Sequence, residues 1–259
     1  MKTVTDHIGR TITYNFPPKQ IISLCPGITE TLYALQLEPE IIGRSKYCIY
    51  PKDKVGNAQV IGGTKEINIA KIRELKPDLI IVEKEENTKD IVELLEKDYP
   101  VYVAEVQSIS DAYRMVTSIG DLTNRNVEAR RLAGKIQTEF LALPQVKGKR
   151  AAYVIWKEPY MVVGRDTYIQ SVLDEMGFIN PFISLKSRYP IVTVEDFQNA
   201  ELDYVLLATE PYSFEDKHKD EFQKMMPNAI PIIVDGEMFW YGARMIKAAR
   251  YFKQELISI

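Results

Sequence analysis

Short hydrophobic segments alternate with amphipathic helical segments through both halves of this 259-residue chain. In the first half, hydrophobic runs at 21–24, 78–82 and 101–103 are separated by segments with apolar residues at helical spacing. The alternation resumes in the second half, with runs at 151–155, 202–207 and 230–234. Strands that alternate with helices in this way form mostly parallel sheets covered by helices. The sequence therefore predicts an α/β fold.

The middle of the chain follows a different pattern. Between 109 and 143, apolar residues recur at helical spacing with almost no helix breaker. About 30 helical residues would span roughly 45 Å, which favours a rigid brace between two lobes over an ordinary connection. One long helix fits this spacing, and so do two consecutive helices divided near Thr123 and Asn124. We therefore expect an N-terminal lobe over 1–108, a bridging helical segment over 109–147 and a C-terminal lobe over 148–259.

The two halves repeat one order of local signals. IRELKPDLIIV (72–82) and FQNAELDYVLLA (197–208) both read as a helix end, a polar junction and a hydrophobic strand. In each half a charged helix follows, over 83–97 in the first, and then a second strand introduced by Pro100 or Pro231. This order favours duplicated lobes. We also expect Thr29 to cap the first helix and a closing helix to run from Trp240 to Ile257.

Several functional classes are disfavoured by the sequence. The net charge is -3 and no basic stripe is present, so a nucleic-acid footprint is not expected. No apolar run reaches the roughly 18 residues of a membrane span. The motifs GxGxxG, GxxxxGK[ST] and GxSxG are absent. The two histidines, His7 and His218, stand far apart in polar contexts, so we expect structural or exposed roles rather than a catalytic triad or a metal site.

The cysteines Cys25 and Cys48 form neither a CxxC pair nor a zinc-ligand spacing. Two buried, hydrophobic thiols are the first interpretation. A disulfide and a thiol at a binding site both remain open.

Aromatic residues are concentrated in the loops that follow predicted strands. Parallel sheets place ligands at the carboxyl ends of their strands, where such loops meet. Polar-tipped aromatics with one or two cations suit a large flat ligand or an anionic chelate. The candidate ligand-binding residues are Tyr47, Tyr50, Thr64, Lys65, Trp156, Arg188, Tyr189, Glu237, Phe239, Trp240, Tyr241 and Arg244.

Glu237 and Arg244 bracket the densest aromatic run. If both face the ligand, the arginine suits a carboxylate or catecholate edge and the glutamate accepts from amides. The alternative is an exposed carboxylate and an arginine paired with a neighbour.

The chain resembles the helical-backbone substrate-binding proteins of ABC importers for cobalamin, haem and ferric siderophores, and most of all the vitamin B12-binding branch. The segments that carry the resemblance are DHIGRTI, IISLCPGITETLYAL, IIGRSKYCIYP, INIAKIRELKPDLIIV, PYMVVGRDTYIQSVLDEMGFIN, YPIVTVEDF and FWYGARMIKAARYF. The resemblance implies two lobes bridged by a long helix, limited hinge closure and a cleft that takes one metal chelate.

The resemblance also assigns roles to individual positions. Tyr47 matches an aromatic residue that packs against the corrin, Glu237 matches an acidic ligand contact, and Tyr189 stands where the B12-binding branch has a tryptophan. Thr64 replaces another tryptophan, so one aromatic wall is missing. Glu195 matches an acidic residue that docks onto permease arginines. The matching position in the first lobe is Ala70, with Glu66 and Glu74 nearby, and Glu74 is our candidate there.

The resemblance thus implies a non-catalytic, monomeric solute-binding protein of an ABC uptake system, with an ABC permease as partner and no intrinsic cofactor. The expected ligands are a corrinoid first, then haem or a ferric siderophore, and last a bare metal ion. The alternative is a cytosolic corrinoid- or iron-chelate-handling protein or enzyme on the same fold. The family implies a periplasmic or cell-envelope location. Because the start MKTVTDHIGR lacks the apolar region of a secretory signal, either a leader was removed or the protein stays in the cytoplasm.

Overall fold

The computed structural model describes residues 1–256 and separates them into two compact units. Unit 1 comprises Met1–Val106, Ser110–Thr138 and Tyr241–Ile246. Unit 2 comprises Gln107–Ile109, Glu139–Trp240 and the chain from Lys247 onward. The predicted α/β class is confirmed, since each unit is built on a sheet of five strands. The three-part division at 108 and 147 stays a proposal.

The strands of unit 1 form a small hairpin and a larger sheet. They are β1 Lys2–Thr5, β2 Thr11–Tyr14, β3 Ile21–Ser23, β4 Ile41–Arg44, β5 Gln59–Val60, β6 Leu79–Glu83 and β7 Val101–Ala104. β1 and β2 pair antiparallel, whereas the larger sheet has the order β5-β4-β3-β6-β7 and is parallel throughout. Both faces of β6 are buried, as expected for a parallel strand covered by helices. Its apolar residues Ile80 and Val82 pack in a cluster with Ile22, Leu24 and Val101.

The helices of the first half connect these strands. They are α1 Pro26–Ala34, α2 Ile69–Leu75 and α3 Lys89–Leu95. Thr29 lies inside α1 and does not cap it, since Cys25 holds the N-cap position; the Thr29 hydroxyl lies 2.8 Å from Ser23 Oγ and 3.1 Å from Cys48 Sγ, within hydrogen-bond distance of both. The predicted helix over 83–97 begins only at Lys89, since the residues after β6 form a turn instead.

The helical middle of the chain forms two helices, α4 Ile109–Thr123 and α5 Asn126–Leu141. This is the division near Thr123 that the spacing left open. Asn124 between them has a φ of 60°, a left-handed conformation that ends a helix. The Arg125 N–H then donates to the Gly120 carbonyl at 2.8 Å, which satisfies a carbonyl at the end of α4. The boundary between the two units falls within α5, after Thr138.

Unit 2 contains the second sheet. Its strands are β8 Ala151–Trp156, β9 Tyr160–Val162, β10 Ile191–Val192, β11 Tyr204–Ala208 and β12 Ile230–Val234. The order is β10-β9-β8-β11-β12, and β9 runs antiparallel to both of its neighbours while the other pairs are parallel. The remaining helices are α6 Tyr168–Glu175, α7 Val194–Asn199, α8 Asp216–Met225 and α9 Met245–Tyr251.

An aromatic cluster forms part of the core of unit 2. Phe197 lies edge-on to Phe182, Tyr160 and Phe222, with ring centroids between 5.6 and 5.8 Å apart. Such edge-to-face pairs stabilise a core beyond simple burial of area.

The predicted closing helix begins later than expected. Two 3₁₀ turns, Gly236–Phe239 and Gly242–Arg244, occupy its predicted start, and α9 follows. Asp235 caps the first turn by accepting the Glu237 N–H at 3.0 Å, and this cap starts the turn before Trp240. Ile257, the predicted last residue of the helix, lies outside the described residues.

Candidate functional site

Four loops of unit 1 leave its sheet at the same edge. They follow the carboxyl ends of β3, β4, β5 and β6 at residues 24–25, 45–51, 61–66 and 84–88. Because the strands are parallel, these loops converge, as the sequence predicted for a ligand site.

Tyr47 is the most exposed aromatic residue of these loops, with half of its side chain in solvent (50%). The ammonium of Lys46 lies 5.1 Å from its ring centroid. A Cβ added to Gly63 would lie 3.3 Å from Tyr47 Cε2, so the ring rests against the backbone of the next loop. Tyr47 thus presents an apolar face to solvent beside a cation.

The loop after β5 is tied to the loop after β6. Thr64 is buried, and its carbonyl accepts from Asn87 Nδ2 at 2.9 Å. Lys65 is exposed, and its ammonium donates to the Glu85 carbonyl at 2.6 Å. Thr64 is thus buried while its backbone carbonyl ties the two loops together, and its role as a ligand contact stays a prediction.

Glu83, which was predicted to begin the charged helix over 83–97, is instead a buried residue at the end of β6. One oxygen accepts the N–H groups of Glu85 and Glu86 at 2.8 and 3.0 Å, and the other accepts that of Val106 at 3.2 Å. Burial raises the pKa of Glu83 to about 7, and these hydrogen bonds oppose the rise. Burial also raises the pKa of Glu86. A polar run directly after a buried strand was the only signal for this arrangement.

A segment from near the end of the chain packs on α1 in unit 1. A Cβ on Gly27 would lie 2.8 Å from the Tyr241 carbonyl oxygen, so only glycine permits this approach. The Tyr241 hydroxyl lies 3.0 Å from Cys25 Sγ. Burial, reinforced by neighbouring carboxylates, raises the pKa of Cys25 well above its usual value, and burial does the same for the pKa of Tyr241. Thiol and phenol therefore stay neutral at physiological pH.

Arg244 in the same segment is almost fully buried, with 1% of its surface exposed. Its Nε donates to Glu30 Oε2 at 2.8 Å, and its guanidinium carbon lies 3.6 Å from the ring centroid of Tyr50. In the structure Arg244 is paired with its neighbours and fixes Tyr50 against α1. Its contact with an anionic ligand stays a prediction.

In unit 2, the carboxyl ends of β8, β11 and β12 lie at one edge, with Trp156 closing β8. Trp156 is 40% exposed, and its ring lies edge-on to Tyr212 at 5.6 Å. Arg188 and Tyr189 are half-buried in the loop before β10, with the guanidinium 6.0 Å from the tyrosine ring centroid. Among the predicted ligand-binding residues of unit 2, the aromatic side chains that are exposed or half-exposed are Trp156, Tyr189 and Trp240.

The loop after β12 is held by hydroxyl groups. The Gly236 N–H donates to Thr209 Oγ1 and the Asp235 N–H to the Tyr251 hydroxyl, both at 3.0 Å. Glu237 and Trp240 are half-buried, and the Trp240 indole donates to the Glu210 carboxylate.

Phe239 is buried between two other rings of unit 2. Its ring centroid lies 4.6 Å from that of Tyr153 and 5.0 Å from that of Phe252. Phe239 is thus a core residue beneath the loop, and its role as a ligand contact stays a prediction.

Glu195 and Ala70 each occupy the second position of a capped helix. Glu195 is exposed at the second residue of α7, after the cap Thr193. Ala70 is exposed at the second residue of α2, after the cap Asn68. Glu74, the candidate for the first lobe, is exposed one turn further along α2.

The histidines have structural roles. His7 Nδ1 accepts the Glu105 N–H at 3.3 Å, so the neutral ring carries its proton on Nε2 and donates it to Ser118 Oγ at 3.0 Å. Burial lowers the pKa of His7, and in this tautomer it cannot accept the Ser118 proton. His218 Nδ1 likewise accepts a backbone N–H, from Glu215 at 2.8 Å. Both cysteines are buried and unpaired thiols, as first interpreted.

Other features of residues 1–256 frame the site. No group of three or more potential ligand side chains is placed to hold a metal ion in this part of the chain. Nor does any helix within it combine the length and apolarity that crossing a membrane requires. Two open cavities of about 430 and 420 Å³ lie in unit 1 beside the amino ends of its strands, lined by residues such as Arg10, Tyr99 and Lys76. None of the predicted ligand residues lines either cavity, so neither is a candidate ligand site.

Most of this sequence matches one known family. Residues 21–230 match the sequence profile described as periplasmic binding protein. The chain belongs to the periplasmic binding protein family. The resemblance noted from the sequence is confirmed.

Two curated relatives illustrate the range of the family. The vitamin B12-binding protein of Vibrio parahaemolyticus is 25% identical over 186 residues, which cover 70% of this chain and 67% of that protein. An uncharacterised ABC transporter substrate-binding lipoprotein of Bacillus subtilis is 27% identical over 186 residues, covering 66% of this chain and 58% of that protein.

Solved structures share the fold at lower identity. The periplasmic haem-binding protein HutB of Vibrio cholerae has a TM-score of 0.78 at 17% identity, covering 92% of this chain and 99% of HutB. The periplasmic vitamin B12-binding protein BtuF of the same species has a TM-score of 0.74 at 19% identity, with coverages of 92% and 96%.

Proposed function

We propose that this protein is the solute-binding component of an ABC uptake system and binds a metal chelate at the carboxyl ends of its strands without catalysis. A corrinoid such as cobalamin is the first candidate, and haem or a ferric siderophore is the alternative. The observation that carries the proposal is the exposure of large aromatic faces on strand-end loops, with Tyr47 50% and Trp156 40% exposed. Such faces suit a broad, flat ligand.

The charges at the strand ends support this order of ligands. In unit 2, Glu210, Asp235 and Glu237 lie at the ends of β11 and β12, each partly exposed. Carboxylates accept hydrogen bonds from amides such as those around a corrin, whereas they repel the carboxylate or catecholate edges of anionic chelates. With Arg244 buried against Glu30, the cation proposed for an anionic ligand is engaged elsewhere.

A spectroscopic titration tests the ligand class directly. We expect the absorbance of cyanocobalamin or dicyanocobinamide to change on addition of the protein, and the fluorescence of the tryptophans to be quenched. Saturation by haemin or a ferric catecholate alone would reverse the order of ligands. If none of the four ligands binds, a metal chelate is not the ligand. Mass spectrometry of the released chelate tests the absence of catalysis, since an enzyme would return an altered product.

Two variants test the residues. Tyr47→Ala in unit 1 and Tyr189→Ala in unit 2 should each weaken binding by about 1–3 kcal/mol, the usual cost of losing an aromatic anchor. Phe16→Ala is the matched control, because Phe16 is 37% exposed but precedes β3, away from the strand ends. Unchanged affinity in both tyrosine variants would show that ligand is bound elsewhere. The cleft that the sequence predicts between the two lobes stays a prediction.

We further propose that Glu195 and Glu74 contact basic residues of the permease. Reconstituted with its permease in vesicles, Glu195→Gln should lower the stimulation of ATP hydrolysis, and Ala70→Glu should raise it by supplying the carboxylate at the equivalent position of α2. Ligand affinity should stay constant in both variants. If the parent protein and both variants stimulate ATP hydrolysis equally, positions 195 and 70 do not contact the permease.

We propose a cell-envelope location, which the family supports. Fractionation of the native host, with a cytosolic marker as reference, tests it. Recovery in the cytosol would favour the alternative, a cytosolic chelate-handling protein on the same fold.

A further inference from the structure

The two tryptophans of the chain, Trp156 and Trp240, are both contacted by one loop of unit 2. This loop follows β11. Its Tyr212 lies edge-on to Trp156 at 5.6 Å, and its Glu210 accepts the indole N–H of Trp240. The aromatic faces at these strand ends therefore depend on a loop that contains none of the residues singled out from the sequence.

The contact with Trp240 is specific in geometry. An indole ring has one N–H, so a fixed acceptor at that atom sets the direction of the ring edge as well as its position. Hydrogen bonds to a charged acceptor are also stronger than neutral ones. The carboxylate of Glu210 therefore orients the faces of Trp240.

Glu210 is itself held in place. A Cβ on Gly236 would overlap Glu210 Cγ and would lie 3.2 Å from its backbone nitrogen, so the loop after β12 passes this residue at a distance only glycine permits. The neighbouring Thr209 accepts the Gly236 N–H at 3.0 Å, and its own N–H donates to the Val234 carbonyl at 3.0 Å. Because β11 and β12 pair in register up to Ala208 and Val234, the acceptor and the tryptophan extend from adjacent, rigid strand ends.

We propose that Glu210 is a positioning residue that fixes the indole of Trp240 in the orientation that stacks on the ligand. The stacking on a ligand rests on the proposed function, whereas the orientation of the indole by Glu210 does not. Preorganisation of an aromatic face reduces the entropy lost on binding, so loss of the acceptor should weaken binding without removing any ligand contact.

The test uses the full-length Trp156→Phe protein, in which Trp240 is the only tryptophan. In the absence of ligand, Glu210→Ala should lower the fluorescence anisotropy of Trp240 and shift its emission to the red. Glu210→Gln retains an acceptor oxygen and should keep both signals close to those of Glu210. Glu201→Ala, an exposed carboxylate of the same unit, is the control and should change neither signal. The melting temperature, measured in parallel, should be similar in all variants.

Binding is then measured in the parent protein that retains Trp156, and in its Glu210 variants, with cyanocobalamin, dicyanocobinamide and haemin. For the one that binds, Glu210→Ala should weaken affinity about five- to tenfold, the effect of one hydrogen bond, and Glu210→Gln should restore it. Unchanged anisotropy in Glu210→Ala would overturn the proposal, and so would loss of affinity in Glu210→Gln equal to that in Glu210→Ala. If no probe binds even the parent protein, the proposed ligand class fails, while the anisotropy still decides the role of Glu210.

Discussion

The two sheets have the same strand order but differ in the direction of one strand. In unit 1, β4 follows β3 after α1 and runs parallel to it, whereas in unit 2 β9 follows β8 after three residues and runs antiparallel. A parallel neighbour requires a crossover long enough for a helix, and a short turn permits only an antiparallel one. Unit 2 places its helix α6 after β9 instead. The length of one connection thus separates a parallel sheet from a mixed one.

The loops at the strand ends are also stabilised differently. Unit 1 uses two buried ionisable groups, Glu83 and Arg244, the second paired with the partly buried Glu30. Unit 2 uses aromatic packing and hydroxyl groups around Thr209 and Tyr251. Since both tryptophans lie in unit 2, tryptophan fluorescence reports on that unit, and hydrogen–deuterium exchange is needed for unit 1. The following variants test this difference.

The largest effect is expected from Arg244→Ala. It leaves the Glu30 carboxylate without its buried cation and should lower the free energy of unfolding of unit 1 by about 3–5 kcal/mol. Exchange protection of α1 measures the loss. Lys149→Ala, which breaks an exposed pair with Asp203 in unit 2, is the control and should change stability little. Equal losses of unfolding free energy in the two variants would mean that a buried arginine does not stabilise unit 1 more than an exposed ion pair stabilises unit 2.

The pH dependence of unit 1 should depend on Glu83. Its folded pKa is about 7 against an ordinary value of 4.5, so the folded state retains a proton that the unfolded state has released. The stability contributed by this group is complete below pH 4.5 and is lost as pH rises through 7, a change of about 3 kcal/mol. We expect the stability of the parent protein relative to Glu83→Gln to fall over this window in denaturant unfolding followed by circular dichroism. The exposed Glu93→Gln is the control, and a difference independent of pH would contradict the assignment.

Gly27→Ala tests the close approach of the late segment to α1. The added methyl group meets the Tyr241 backbone, and we expect a loss of about 1–3 kcal/mol, measured by exchange in α1. A methyl group added at Gly134, in α5, would meet no atom within 4 Å. Gly134→Ala should therefore stabilise by about 0.5–1 kcal/mol through helix propensity alone. A similar destabilisation in both variants would mean that replacing a helical glycine, and not the contact with Tyr241, causes the loss.

The smallest difference concerns the caps of the equivalent helices α2 and α7. The Thr193 hydroxyl accepts the Asp196 N–H at 3.2 Å and the Thr193 N–H donates back to Asp196 at 2.7 Å, whereas the cap of α2 is a single side-chain bond, which Asn68 Oδ1 accepts from the Lys71 N–H at 3.1 Å. Thr193→Ala should cost about 1–2 kcal/mol and Asn68→Ala about 0.5–1 kcal/mol. Thermal unfolding compares them, and a larger loss for Asn68→Ala would contradict this ranking.

The sequence predicted the elements better than the contacts of the site. The sequence located β6, β11 and β12 because each coincides with a run of mostly hydrophobic residues. It missed the two-residue edge strands β5 and β10, which are too short for a pattern. Residues such as Tyr47 and Trp156 could be predicted as exposed faces from their place after a strand.

The burial of Arg244 and Glu83 could not be predicted in the same way. Arg244 is buried because Glu30 and Tyr50, distant in sequence, surround it. Glu83 is buried because three backbone N–H groups converge on it, including that of Val106 after β7. Such environments form only when separate loops meet, so local composition reads both residues as solvated.

The segment Tyr241–Ile246 belongs to unit 1 although residues of unit 2 flank it on both sides in sequence. During synthesis, most of unit 1 therefore leaves the ribosome long before the arginine that neutralises Glu30 has been translated. The nascent first unit must wait with an open surface on α1, where chaperones and proteases can reach it. A gene truncated after the helical middle would encode a fragment that never acquires this closing segment, which makes the unit a poor candidate for independent expression.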